Sequence, residues 1–215
     1  MDLILLTVGP PLLILFYIIK SDKFTEPASA VIKIFFLGLI LIIPAGYLNG
    51  RFVTLETAYL AGITEESLKY LAFIFFVTKL HEFDERMDAI VYGTLISLGF
   101  ATWENYEYVY LMFPEVDSYY IAILRAYSAI PLHAMCGVIM GYHLGLYYFN
   151  EESKSNHLFL ALLIPILVHG TYNYLAQPLN LLLLIGVFIY TRKLHREFVS
   201  HQEDKKNSLE VETKP

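Results

Sequence analysis

Charge is scarce in this 215-residue sequence: Asp, Glu, Lys and Arg make up 17% of it, against about 25% in an ordinary soluble domain. Apolar residues fill the gap, at 56% of the chain with a mean hydropathy of +0.51. One bilayer crossing takes about 20 apolar residues, so crossings consume nearly the whole length and a separate soluble enzyme domain is excluded. An excess of positive charge is missing too. The 15 Lys and Arg are outnumbered by 21 Asp and Glu, for a formal charge of −6, which leaves no electrostatic footprint for a phosphate backbone and argues against nucleic-acid binding. Cysteine is nearly absent. The single Cys136 lies in an apolar stretch, so an internal disulfide framework and a multi-cysteine metal site are both ruled out.

Seven apolar segments are present, at 3–19, 28–48, 56–78, 88–112, 119–149, 157–176 and 178–191. Backbone polar groups in hydrocarbon must bond within their own segment or close into a barrel, and continuous apolar runs without strict alternation choose helices. The expected fold is all-α: one polytopic membrane bundle of about seven transmembrane helices over residues 1–191. Alternate connections carry Lys20, Lys23, Lys79, Arg86, Lys154, Arg192, Lys193 and Arg196, and the opposite set only Arg51. The positive-inside rule then puts the N-terminus outside and residues 192–215 in the cytosol, as a charged, disordered tail. Ala28-Ser29-Ala30 resembles a signal-peptide cleavage site. The start MDLILL has no basic region and Lys20 to Glu26 is a long polar spacer, so the first segment reads as an uncleaved helix, kinked at Pro10-Pro11.

An ionisable side chain near the bilayer centre costs about 2.5–3.5 kcal/mol on insertion scales and marks a functional candidate. Glu65, Glu66, Lys69, Glu104, Asn105, Arg125, His133, His169 and Asn173 fall within the apolar segments. At about 1.5 Å per residue, Glu65 lies roughly 14 Å below the outer end of its segment, Glu104 roughly 12 Å, His169 roughly 10 Å and His133 roughly 20 Å. A shared depth in the outer half points to one water-accessible cavity. Residues four apart share a helical face, so Glu65 can pair with Lys69, and His169 and Asn173 point the same way. Glu65 and Glu66 diverge by about 100°, so one faces the reacting centre while the other braces it. Two nearby carboxylates cannot both ionise cheaply in low dielectric, which suits general acid–base work.

Plainer roles stand beside these. Glu65 with Lys69 is also what a structural ion pair looks like, and a lone membrane histidine commonly serves as an interhelical hydrogen bonder. Gly93, Gly137, Gly141 and Gly145 have the spacing of close helix packing. Arg125 has the position of a side chain that snorkels to the surface. Glu151, Glu152 and Lys154 read as solvated loop charge, and His195 and His201 as solvated tail residues.

Taken together, Glu65-Glu66-Ser67-Leu68-Lys69 (EExxK), Phe100 to Glu104-Asn105 (FxxxEN), His133 to Gly137 (HxxxG) and His169 to Asn173 (HxxxN) resemble the PrsW family of intramembrane proteases. The likeness covers about residues 60–175, on four successive helices. That family is similar to the CAAX prenyl endopeptidases and bacterial Abi proteins, and more distantly to a γ-secretase subunit. This chain departs from the CAAX pattern in having EExxK for EExxxR and Glu104 where those enzymes have histidine. The resemblance implies a protease of the bacterial cell membrane that makes a first, outer-side cut in a single-pass membrane protein, typically an anti-sigma factor.

Peptide hydrolysis needs an activated water, an oxyanion stabiliser and a proton donor for the leaving amine. The expected assignment gives the water's proton to Glu65 or Glu66, with His169 or His133 orienting that water. Asn105 and Asn173 donate to the oxyanion, Glu104 fixes a histidine tautomer or shares the proton load, and Lys69 holds the glutamate pair. No cofactor is favoured; zinc stays open, with Glu65 or Glu66, His133 and His169 as the ligand set, although HExxH is absent. The rivals are a noncatalytic scaffold or substrate-binding subunit, which does not need the glutamate pair, and a small proton-coupled transporter. The latter predicts inverted repeats, and none is evident.

Overall fold

The computed structural model describes residues 2–150 and 154–212. Nine α-helices and no strand are present among the described residues. They are α1 (Leu3–Ser21), α2 (Ala28–Ile40), α3 (Ile42–Phe52), α4 (Leu60–Phe76), α5 (Arg86–Glu107), α6 (Ser118–Tyr127), α7 (Ala129–Phe149), α8 (Lys154–Tyr174) and α9 (Leu179–Glu212). A 3₁₀ turn (Val77–Lys79) extends α4 and a π-helical turn (Tyr108–Met112) extends α5. Glu151 and Glu152 lie outside the described residues.

Four stretches are long and apolar enough to cross a membrane: Leu3–Ser21, Ala28–Phe52, Ser118–Phe149 and Asn156–Tyr174. Seven apolar segments thus reduce to four by that measure, for a physical reason. α5 sits at the centre of the bundle, with sixteen buried residues. A helix walled by protein rather than lipid has no need of an all-apolar surface; α4 is short, at 17 residues, and carries Glu65, Glu66 and Lys69, and the apolar part of α9 gives way to charge from Arg192 onward.

α5 and α7 form the spine. A Cβ on Gly93 would stand 2.7 Å from the carbonyl oxygen of Gly137, and one on Gly137 2.7 Å from that of Gly93, so the two backbones touch, as small-residue spacing allows. α1 runs through Pro10 and Pro11 as helix. Pro11 has no N–H to give to the Thr7 carbonyl four residues back, and Asn105 of α5 takes that carbonyl instead, at 2.7 Å.

The tail corrects an expectation. A mobile segment from residue 192 onward was expected, whereas α9 continues as helix to Glu212, and residues 213–215 lie outside the described ones. One face finds partners: Thr191, Leu194, His195, Phe198 and Gln202 are buried, a stripe at helical spacing. Phe198 stacks on Tyr142 with centroids 4.7 Å apart, and His195 Nε2 meets Ser21 Oγ at 2.7 Å. Gln202 donates to Asp22 at 2.8 Å and to Glu85. Of the two tail histidines, His201 is solvated as expected, whereas His195 is buried.

Candidate active site

Backbone contact builds the site. A Cβ on Gly62 of α4 would lie 2.5 Å from the backbone nitrogen of Gly170 on α8, so these helices touch one residue beyond His169 and one turn before Glu65 and Glu66. The α5–α7 contact aligns Glu104 with His133 from the other side. The carboxylates and imidazoles of four helices therefore converge because glycines let the backbones approach.

The result is one chain of polar contacts. Glu66 is fully buried; its Oε1 accepts from Lys69 Nζ at 2.7 Å and pairs with His169 Nδ1 at 2.9 Å. Lys69 also meets His133 Nδ1 at 2.9 Å and lies 4.4 Å above the centre of the Phe100 ring. His133 Nε2 pairs with Glu104 Oε2 at 2.9 Å. That same oxygen receives Arg125 at 2.6 Å, and Arg125 Nε donates to Asn105 Oδ1 at 2.8 Å. At the other end, Asn49 of α3 donates to Glu65 Oε1 at 2.9 Å, and the Thr64 hydroxyl donates to Asn49 Oδ1.

These contacts set the tautomers of the neutral imidazoles. A carboxylate only accepts, so neutral His169 donates through Nδ1 and keeps a lone pair on Nε2. By the same rule His133 donates through Nε2 to Glu104 and accepts from the Lys69 ammonium at Nδ1. His169 Nε2 lies 3.8 Å from Glu65 Oε2, an oxygen that is buried and has no hydrogen-bond partner.

A cavity of about 700 Å³ opens beside this pair, within the size range of small-molecule and peptide sites. Glu65, Glu104, His133, His169 and Asn173 line it, together with Arg125 and Asn49. Glu66, Lys69 and Asn105 do not stand in its wall. Asn105, expected to aim at an oxyanion, has its amide committed to Thr7 and Arg125. Among the described residues Asn173 makes one long contact, to the Ala58 carbonyl at 3.5 Å, and it lines the cavity. Lys69 pairs with Glu66 three residues back rather than with Glu65, because Glu65 is turned toward α3. Arg125, read as a snorkelling side chain, is buried, 4.0 Å above the Tyr108 ring centre.

Sequence reasoning missed Asn49, Thr64 and the Gly62–Gly170 contact. A lone amide two residues before Arg51, at the end of an apolar run, was the available signal for Asn49.

One ligand atom each from Glu65, His133 and His169 falls within 4.8 Å of the others. Two imidazoles and a carboxylate are a catalytic zinc donor set that leaves a position for water, and the unpartnered Glu65 Oε2 is the kind of atom a cation satisfies. The residues fit a zinc ion, with His133 giving up one of its two ring contacts to join.

Comparison with known proteins agrees with this chemistry. Residues 26–192 match the family described as PrsW family intramembrane metalloprotease. Protease PrsW of Oceanobacillus iheyensis is 35% identical over 186 residues, 83% of this chain and 84% of its own length. The Clostridioides difficile protein of the same name is 34% identical, covering 81% of this chain and 79% of its own, and that of Bacillus subtilis is 34% identical, covering 80% and 82%. No solved structure matches the chain. The matched span holds every side chain of the polar network just described, and the chain belongs to the PrsW family of intramembrane metalloproteases, a peptidase that works within the membrane.

Proposed function

We propose that this peptidase cuts a peptide bond of a single-pass membrane protein at the outer side of a bacterial cell membrane, as the first cleavage of an anti-sigma factor in a stress response. One observation carries the catalytic assignment: Glu65 Oε2 and His169 Nε2 stand 3.8 Å apart beside a cavity, both with unused acceptor capacity. A water between them loses its proton to Glu65, and the same carboxyl later returns it to the leaving amine. Glu66 holds His169 in the tautomer that leaves Nε2 open, and Lys69 neutralises Glu66. Glu104, itself held by Arg125, orients His133. Asn173 donates to the oxyanion.

Zinc fits Glu65, His133 and His169, and the family's description as metalloproteases favours its presence. A zinc ion bound there would polarise the peptide carbonyl and acidify a water. His133, His169 and Glu65 would hold it, Glu65 then serving as the oxygen ligand in place of the proton-accepting role, and Glu66 and Glu104 would brace the two imidazoles, as outer carboxylates commonly do for ligating histidines.

The outer-side reading rests on charge. The cavity is walled by α3, the starts of α4 and α7 and the C-terminal ends of α5 and α8, whereas Lys20 and Lys23 lie at and just past the end of α1, Arg86 at the opposite end of α5, and Arg192 and Lys193 beyond the apolar part of α9. Cytoplasmic connections are the Lys- and Arg-rich ones. With α4, α5 and α9 supplying the crossings beyond the four apolar stretches, the chain spans seven times with the N-terminus outside.

The test is cleavage of tagged single-pass proteins, anti-sigma factors included, in membranes holding wild type or Glu65→Gln at equal abundance. Product with wild type alone supports the assignment, and equal product from both sinks it. Activity removed by a membrane-permeable chelator and restored by zinc supports the metal; activity indifferent to chelation removes it.

A further inference from the structure

Among the cavity walls, α3 is the one least held by packing. Ile42, Gly46, Asn49, Gly50 and Val53 line the cavity and share one helical face, while Ile43, Tyr47 and Phe52 are exposed on the far side. Of its eleven residues only Ile42 and Ala45 are buried. Open space lies where a Cβ on Gly46 or Gly50 would stand, whereas one on Gly62, Gly93 or Gly137 would come within 3 Å of neighbouring backbone. These two glycines therefore leave room in the cavity instead of clamping helices together.

Against that loose packing stands one directed polar contact. Asn49 Nδ2 donates to Glu65 Oε1 at 2.9 Å, and the Thr64 hydroxyl takes the other end of the same amide. An amide has a donor end and an acceptor end; with Thr64 on the acceptor, the donors can only face Glu65. Occupying Oε1 leaves Oε2 as the open oxygen, the one turned to His169 Nε2.

We propose that Asn49 is a positioning residue: it selects which oxygen of Glu65 faces the reacting centre and ties the substrate-side wall α3 to that carboxylate. A peptide seated against Gly46 and Gly50 bears on the helix from which Asn49 hangs, so occupancy of the cavity and the aim of Glu65 are linked. This rests on the reading of Glu65 as the reacting carboxylate.

The experiment uses the full chain in nanodiscs with a reporter that wild type cleaves. Asn49→Leu keeps the volume and removes the donor, and Asn49→Gln keeps the donor. Asn49→Leu lowers kcat by about 10- to 100-fold, the usual cost of losing a partner that orients an active-site ligand, with KM little changed. Asn49→Gln recovers part of that loss. Thr64→Val falls between Asn49→Leu and wild type, and Thr64→Ser behaves as wild type. An unaffected kcat in Asn49→Leu, or equal losses for Leu and Gln, overturns the positioning role. A second readout needs no substrate: spin labels at the exposed positions Tyr47→Cys and Leu167→Cys, in a Cys136→Ala background, report the distance from α3 to α8. A distribution that is narrow in wild type and Asn49→Gln but broad in Asn49→Leu supports the tether, and one that Asn49→Leu leaves unchanged overturns it. Failure of the underlying reading looks different, since Glu65→Gln would then retain cleavage whatever Asn49 does.

Discussion

Two clusters of acidic and imidazole side chains meet inside this bundle, one near each end. Glu65 with His133 and His169, and Asp22 with Glu26 and Asp88, each bring three ligand atoms within 4.8 Å of one another. Their surroundings differ. In the second group Asp88 Oδ2 accepts from the backbone of Asp84 at 2.9 Å and of Glu85 at 2.7 Å, completing a reciprocal cap on α5. Asp22 accepts from Phe24 N at 2.9 Å and from Gln202 at 2.8 Å, and Glu26 accepts from Tyr92. Those bonds join the α1–α2 connection, the start of α5 and the far end of α9. In the first group the donors are spent on fixing two imidazole tautomers, and the acceptors left over, Glu65 Oε2 and His169 Nε2, face a cavity. Close ligand atoms are common to both, and so is an unpartnered carboxylate oxygen, Asp88 Oδ1 in the second group and Glu65 Oε2 in the first; what the first adds is the cavity of about 700 Å³ that Glu65, His133 and His169 line.

The largest test of that contrast sets Glu65→Gln against Asp88→Asn. Loss of the proposed general base lowers cleavage by about 10²–10⁴-fold, whereas Asp88→Asn leaves the rate unchanged; rates per folded molecule on one reporter decide it. Glu66→Gln comes next, with a fall of about 10- to 100-fold because it braces His169 from outside the cavity. A loss as large as that of Glu65→Gln would instead make Glu66 a reacting group.

Stability separates the regions in a different way. Gly137→Ala drives a methyl into the α5–α7 contact and costs about 1–3 kcal/mol by overpacking, while Gly46→Ala, with open space at its Cβ, is neutral within error. Thermal unfolding in detergent measures both. Asp88→Ala removes the reciprocal cap and costs about 1 kcal/mol with no loss of catalytic rate.

The smallest expected effect is on pH. Burial, aided by Arg192, lowers the pKa of His195 from 6.5 to about 4, where α9 extends past the last crossing. Released into water the imidazole binds a proton more readily than when docked, so between about pH 6.5 and pH 4 acid favours release. Docking of the α9 extension weakens as pH falls through that window and is unaffected above it. Limited proteolysis of the extension against pH reads this out, and a flat profile would refute it.

Much of the site was legible because ionisable residues in apolar segments are costly and therefore conspicuous. Glu65, Glu104, His133 and His169 were singled out on that ground, and Asn173 by its four-residue spacing from His169; all five line one cavity. Asn105 was singled out equally, yet its amide serves Thr7 and Arg125, because Pro11 leaves a carbonyl without its helical donor. Asn49 escaped notice because it lies just past the end of its apolar segment, at 28–48, and outside the four motifs. The α9 extension read as disordered because its charge hides a buried stripe of only a few residues, whose partners lie on α1, α7 and the connection before α5.

By itself the sequence determined the helical nature of the chain, since backbone groups in hydrocarbon must bond within their own segment. It also determined which short motifs bring carboxylates and imidazoles into the membrane. Only the tertiary structure decided which of two adjacent glutamates faces the cavity. Glu65 and Glu66 point about 100° apart on α4. What turns one to the cavity and the other to Lys69 and His169 is the approach of α4 to α8 at Gly62 and Gly170, a contact between residues more than a hundred positions apart in the chain.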